Sequence, residues 1–277
     1  MVRDKLKDYI LYLSYAVISM LFLFPLLWTL SISLKEISEI FSYPPKLLPE
    51  TFKLDNYVQI INNSKILTFI YNSIKISFFT VVGTLAVTIP GAFAFSRFRF
   101  KFKKPILFGL LIFQMMSPLI IAIPLYNYFN MIGLLDTHLG IIFVYVAIQI
   151  PFTTWLLKGS IDSVPASIDD AARIDGCSNF QLLTRVLIPI ILPGISTAII
   201  FNAIQSWAQF IIPFILLDNL NLFPVSLGIY NYQASGEAIT IHLTAAASIF
   251  ATIPTIIMFI LLQRFIVSAL TAGAVKG

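Results

Sequence analysis

Apolar residues gather into six stretches, 9–34, 66–95, 105–126, 139–157, 190–217 and 242–262, each long enough to cross a bilayer as a helix. A spanning helix needs about 20 mostly apolar residues. Polar and charged positions collect between the stretches. Two of these connections, 35–65 and 159–189, are far longer than a turn requires. The first contains YPPKLLPE, whose prolines forbid a long regular helix. The second carries IDDAARIDGCSNF, with four charged residues in thirteen, from Ile168 to Phe180.

That second connection is punctuated as two short helices. Pro165 suits a first helical position, where its missing N–H costs nothing. Asp169 and Asp170 fall in the first turns, where the helix dipole favours acids. Asp169 and Arg173 stand i, i+4 with the acid first. Gly176 is placed to stop the helix in the left-handed conformation. Ser178 with Gln181 three residues on predicts a capping box, opening a second helix that Pro189 ends near Ile188. Ile168, Ala171 and Ala172 share one face, small enough for another surface to approach closely. The short helix is acidic, whereas the inner membrane leaflet attracts basic segments. A docking element for a cytoplasmic protein therefore fits better than a helix resting on lipid.

Composition settles the class. Of 277 residues, 58% are hydrophobic and 11% charged, and the mean hydropathy is +0.90. Soluble domains carry about 25% charged residues, so the sequence predicts an all-α integral membrane protein. The opening 30 residues have too long an apolar run for a signal peptide and are expected to remain as the first span. With both termini inside, thirteen Lys and Arg fall in cytoplasmic segments and five outside, a positive-inside bias. The expected layout is a cytoplasmic N-terminus (1–8), a six-helix domain (9–262) and a cytoplasmic tail (263–277), in the plasma membrane. Pro90, Gln114 and Pro118 are candidate kinks.

Chemistry is sparse. Cys177 is the one cysteine, and with only His138 and His242 beside it no metal site is expected. No G-x-x-x-x-G-K-[ST] loop is present, so ATP, if used, is bound elsewhere. SRFRFKFKKP interleaves cations with phenylalanines and reads as a turn at the lipid headgroups, not as a nucleic-acid site. Asn202, Gln205, Ser206 and Gln209 form one polar stripe on the fifth apolar stretch. Amides at membrane depth face protein or water, so the stripe either lines a path for a hydroxyl-rich solute or bonds to a neighbouring helix.

DAARIDGCSNFQLLTRVLIPIILPG, from Asp170 to Gly194, resembles the loop of permease subunits of bacterial and archaeal ABC importers, E-A-A-x-x-D-G-A with a proline fourteen residues after the aspartate. Ala171, Ala172, Asp175, Gly176 and Pro189 match; Asp170 replaces glutamate, Cys177 alanine and Leu183 a common phenylalanine. FPLLWTLSISLK, YPPKLLPETFKLDNY, YNSIKIS, IPLYNYFNMIGLLDTHLG and LLQRFIVSALTAGAVKG are similar to the shorter permease of maltose-type sugar systems. SWAQFIIPF is similar to a family pattern from which Ala208 and Gln209 depart.

The resemblance implies a type I importer permease fold whose coupling loop, with Asp169, Asp170, Ala171, Ala172, Arg173, Asp175 and Gly176, docks on an ATPase. It further implies a second permease, two ATP-binding subunits that hold ATP and Mg, and an external solute-binding protein. The chain itself is then non-catalytic and carries a sugar or oligosaccharide. Two rivals are an ion-coupled secondary transporter and an intramembrane enzyme. The first needs ionisable groups at membrane depth, and the second a catalytic pair or metal cluster; the sequence offers neither.

Overall fold

The computed structural model describes residues 2–63, 65–234 and 240–274, and among them the regular structure is helical throughout. In chain order the elements are α1 (Val2–Ser33), α2 (Ile37–Ile40), α3 (Asp55–Asn63), α4 (Ile66–Arg97), α5 (Lys103–Gln114), α6 (Ala122–Met131) and α7 (His138–Asp162). Then come α8 (Ala166–Ile174), α9 (Asn179–Gln181), a π-helical turn (Leu182–Leu187), α10 (Ile188–Ile190), α11 (Leu192–Ala208) and α12 (Ile211–Leu216). A 3₁₀ turn (Leu220–Leu222), α13 (Val225–Ala234) and α14 (Ile241–Ala274) complete the chain. Two compact units are formed, residues 1–67 with 228–253 and residues 68–227 with 254–277.

Among the described residues, four helices are long and apolar enough to cross a membrane: Ile10–Ser33, Ile66–Arg97, His138–Asp162 and Ile241–Ile260. A fifth is reached if Asn179–Ile190 and Leu192–Ala208, bent by 80°, count together. The expected third span, 105–126, is two helices, α5 and α6, separated by turns over 115–121. Pro118 explains the break, because it has no N–H to donate and its ring disfavours helical backbone at the residue before it. Pro90, by contrast, sits inside an unbroken α4. The last helix runs on to Ala274, past the expected end at 262. Residues 275–277, the end of the expected tail, lie outside the described residues.

The expected fifth span also ends early. α11 stops at Ala208, and Gln209 is extended before α12 begins. Four residues on, Pro213 has no N–H to give to the Gln209 carbonyl. That carbonyl accepts instead from the Ser226 hydroxyl at 2.8 Å and the Tyr145 hydroxyl at 3.4 Å.

In the first unit, connection 35–65 is short helices and turns folded onto the end of α1 by polar bonds. Asn56 Nδ2 donates to the carbonyls of Ser33 (2.9 Å) and Lys35 (3.1 Å), Ser31 Oγ donates to the Leu47 carbonyl, and Glu39 accepts from the Glu50 N–H. In the second unit, one buried apolar cluster joins α4 (Ala92, Phe93), α7 (Leu157, Ile161), α8 (Ala172), the π-turn (Leu182, Leu187) and α11 (Ile195, Ala198). Gly194 permits the closest approach there: a Cβ would lie 2.2 Å from Ser160 Oγ. A second cluster joins α4, α6, α7 and α12 through Ile76, Phe129, Ile141, Tyr145 and Ile212.

Candidate functional site

Two polar features of the second unit merit attention, the helix α8 with its flanks and a cavity beside α7 and α11.

Local sequence fixes α8. Pro165 is its N-cap, one position before the first helical residue expected for it. At the other end Gly176 has φ +83°, its N–H reaches the Arg173 carbonyl (3.0 Å) and the Cys177 N–H reaches the Ala172 carbonyl (2.9 Å). These two bonds define a Schellman stop. Ser178 and Gln181 then form the capping box, at 3.3 and 2.8 Å. The helix that follows widens into a π-turn and passes through Pro189 to Ile190, beyond the end expected near Ile188. Pro189 cannot bond to the Arg185 carbonyl, and the wider turn before it gives the proline ring room.

The inward face of α8 belongs to the chain's own core. Ile168, Ala172 and Cys177 pack on the first cluster. Ala171, placed on that face from spacing, is exposed. Asp169 is also inward and only 6% exposed. Its expected i, i+4 partner, Arg173, reaches Asn179 Oδ1 instead (3.3 Å). Asp169 pairs with Arg97 at the end of α4, Nε to Oδ2 at 2.5 Å, and Arg97 Nη2 also donates to Asp169 Oδ1 (3.2 Å) and the Val164 carbonyl (2.9 Å). One residue earlier, Ser96 Oγ donates to Asp162, which also pairs with Lys158. The end of α4 is thereby tied to the end of α7 and to α8.

The outward face and C-terminal end of α8 carry Asp170, Ala171, Arg173, Ile174, Asp175 and Gly176, all exposed, and Phe180 is exposed on α9 just beyond; neither large apolar residue was singled out from the sequence. Ile174 is 86% and Phe180 74% exposed. Two large exposed apolar residues flanking the Gly176 turn, among charges, have the composition of an interaction surface. For Ile174 the signal was present in the sequence, since helical spacing puts it opposite Ile168 and Ala172.

The polar stripe on α11 divides. Asn202 and Ser206 are buried and bond across to α7: Thr153 Oγ1 donates to Asn202 Oδ1 (2.9 Å), and Gln149 Nε2 donates to Ser206 Oγ (2.9 Å) and the Asn202 carbonyl (3.3 Å). Gln205 and Gln209 face a cavity of about 100 Å³. Gln114 at the end of α5 and Gln149 of α7 complete a ring of four amides, and Tyr145, Phe152 and Phe201 supply aromatic walls. The last two rings lie 4.0 Å apart between centroids. Half of the stripe thus bonds to the neighbouring helix, and the other half faces a cavity. Among the described residues, no group of three or more His, Cys, Asp or Glu is placed to hold a metal ion.

Residues 86–271 match the family described as binding-protein-dependent transport system inner membrane component. The chain belongs to this family. It is 29% identical to the galactooligosaccharides transport system permease protein GanQ of Bacillus subtilis (strain 168), over 100% of this chain and 98% of that protein. It is 30% identical to the maltose/maltodextrin transport system permease protein MalG of Escherichia coli (strain K12), over 92% and 91%. Its fold is similar to a chain of a bacterial ABC transporter that imports the acidic polysaccharide alginate, with a TM-score of 0.81, 22% identity, and coverage of 94% and 96%. The chain is thus a membrane permease component with the fold of ABC importers, multi-pass and built of helices.

Proposed function

We propose that this chain is the permease subunit of an ATP-driven importer of a sugar or short oligosaccharide, working with an external solute-binding protein. The observation that carries the reading is the capped helix α8, held to the core by one face and offering Ile174 and a charged rim with the other, with Phe180 exposed on α9 just beyond it, in a chain of the binding-protein-dependent family. The sugar class is supported by the galactooligosaccharide and maltodextrin systems to which relatives belong. It is supported also by a cavity lined, among the described residues, by amides and aromatic rings and no charged side chain.

Six crossings follow if α5–α6 form one broken span and α11–α12 another, beside α1, α4, α7 and α14. Both termini and α8 then lie in the cytoplasm, with 35–65 outside. A second permease chain and two ATP-binding subunits complete the assembly, and those subunits hold ATP and Mg. Asp170, Ala171, Arg173, Asp175 and Gly176 shape the docking face, while Asp169 and Ala172 position it. Closure of the ATPase pair moves α8. Through the Asp169–Arg97 pair and the shared apolar cluster, that motion reaches α4, α7 and α11, which open the path alternately to each side.

Purification of the tagged full chain from native membranes in mild detergent, with mass spectrometry of stoichiometric partners, tests this. An ATP-binding subunit and a second permease are expected. A chain that comes out alone and still transports when reconstituted would overturn the reading.

A further inference from the structure

We propose that this chain itself holds a contact subsite for a neutral, hydroxyl-rich solute, in the cavity between α5, α7 and α11; the inference rests on the importer reading above.

The first support is the choice of side chains. Four of the chain's eight glutamines, Gln114, Gln149, Gln205 and Gln209, come from three helices to line one cavity. An amide offers both donors and an acceptor, as a sugar hydroxyl does. In a membrane helix such groups are costly unless they face protein, water or a polar ligand.

The second support is an unmet bond. Gln149 is 6% exposed, and its Nε2 is committed to Ser206 and Asn202 across the helix seam. Its Oε1 is buried with no partner. A buried acceptor without a partner costs about 1–3 kcal/mol; Gln149 lines the cavity, and a turn of its amide towards it would let a solute hydroxyl supply the missing donor.

Third, Phe152 and Phe201 form an apolar wall beside the amides. A sugar ring presents hydroxyls at its edge and C–H bonds on its face, so an amide rim with an aromatic wall matches both. Mostly apolar walls with a few placed polar groups are the usual make-up of a ligand pocket.

Charge narrows the class. Among the described residues, no Asp, Glu, Lys, Arg or His lines the cavity. A uronate here would lose its hydration with no counter-charge, which is strongly unfavourable. The alginate importer that shares the fold handles an acidic polysaccharide; this cavity is built for a neutral one. At about 100 Å³ it takes several waters or one edge of a sugar ring, so it contacts one unit of a longer solute.

Substrate protection tests contact directly. In a Cys177→Ala background, Gln205→Cys and, separately, Gln209→Cys are labelled with N-ethylmaleimide in the full reconstituted complex. Labelling is timed with and without maltotriose, cellotriose, galactotriose or trigalacturonate. At ~10 times its Kd, a neutral sugar that the complex transports should slow labelling about tenfold, because the free fraction falls as 1/(1 + [L]/Kd). Trigalacturonate should have no effect. A transported neutral sugar that protects neither cysteine would overturn the subsite while leaving the importer reading intact. Protection by trigalacturonate as strong as that by the sugars would overturn the neutral selection. A complex containing the unmodified chain that hydrolyses ATP but takes up none of the neutral sugars would overturn the sugar reading beneath it.

Discussion

Asp169 shows how much one residue can carry in this protein. A carboxylate buried at the inner face of α8 is tolerable only because Arg97 lies against it. Removing one member of a buried pair typically costs about 3–5 kcal/mol, since the other is left charged and unpaired. Asp169→Ala should therefore lower the melting temperature of the purified complex and the yield of co-purified ATPase subunit, measured by thermal shift and pull-down. Arg97→Ala should match it, and the double variant should cost less than the sum. Strict additivity would mean that the pair is not coupled. Ile174→Asp makes the complementary prediction. At 86% exposure it should leave the chain's own melting temperature unchanged and still reduce ATPase retention several-fold. Equal loss of both would mark Ile174 as a core residue and the docking face as misassigned.

Elements in this chain are set by local chemistry where the determinants are neighbours, and by partners from afar where they are not. The Schellman stop at Gly176 and the capping box of Ser178 and Gln181 were legible because each involves residues within five positions. The partner of Asp169 was not, because Arg97 lies 72 residues away and Arg173 offered a better-spaced decoy. The two helix breaks were legible only in part, since Gln114 and Pro118 marked a kink at the first and the second was not foreseen. Hydropathy measures transfer to oil and is blind to hydrogen bonding, so the turns at 115–121 and the extended Gln209 read as continuous helix. The split of the α11 stripe was likewise hidden, since spacing gives a face but not what that face meets. Its inner half should behave as a seam. Asn202→Leu removes the bond from Thr153, and membrane interhelical bonds are worth about 0.6–2 kcal/mol. It should lower the melting temperature by a few degrees, while Gln205→Ala, on the cavity side, should not. An equal fall for both would erase the distinction between seam and cavity.

For the whole molecule, the class was readable from composition and loop charge, because a bilayer imposes both on any chain that crosses it. The side assignment makes a prediction of its own. In a Cys177→Ala background, Lys46→Cys should react with a membrane-impermeant thiol reagent added outside intact cells, and Lys101→Cys only after permeabilisation. The reverse pattern would invert the topology and place α8 outside, beyond reach of a cytoplasmic motor.

In this mechanism a cytoplasmic ATPase on separate subunits drives the chain through α8. The most direct measurement is solute uptake by proteoliposomes holding the full complex, with the solute-binding protein added to the face opposite α8 and ATP to the face that exposes it. Uptake should require both, and Ile174→Asp should abolish it while the complex's sugar binding persists. Uptake driven by a proton or sodium gradient without ATP, or unaffected by Ile174→Asp, would contradict it.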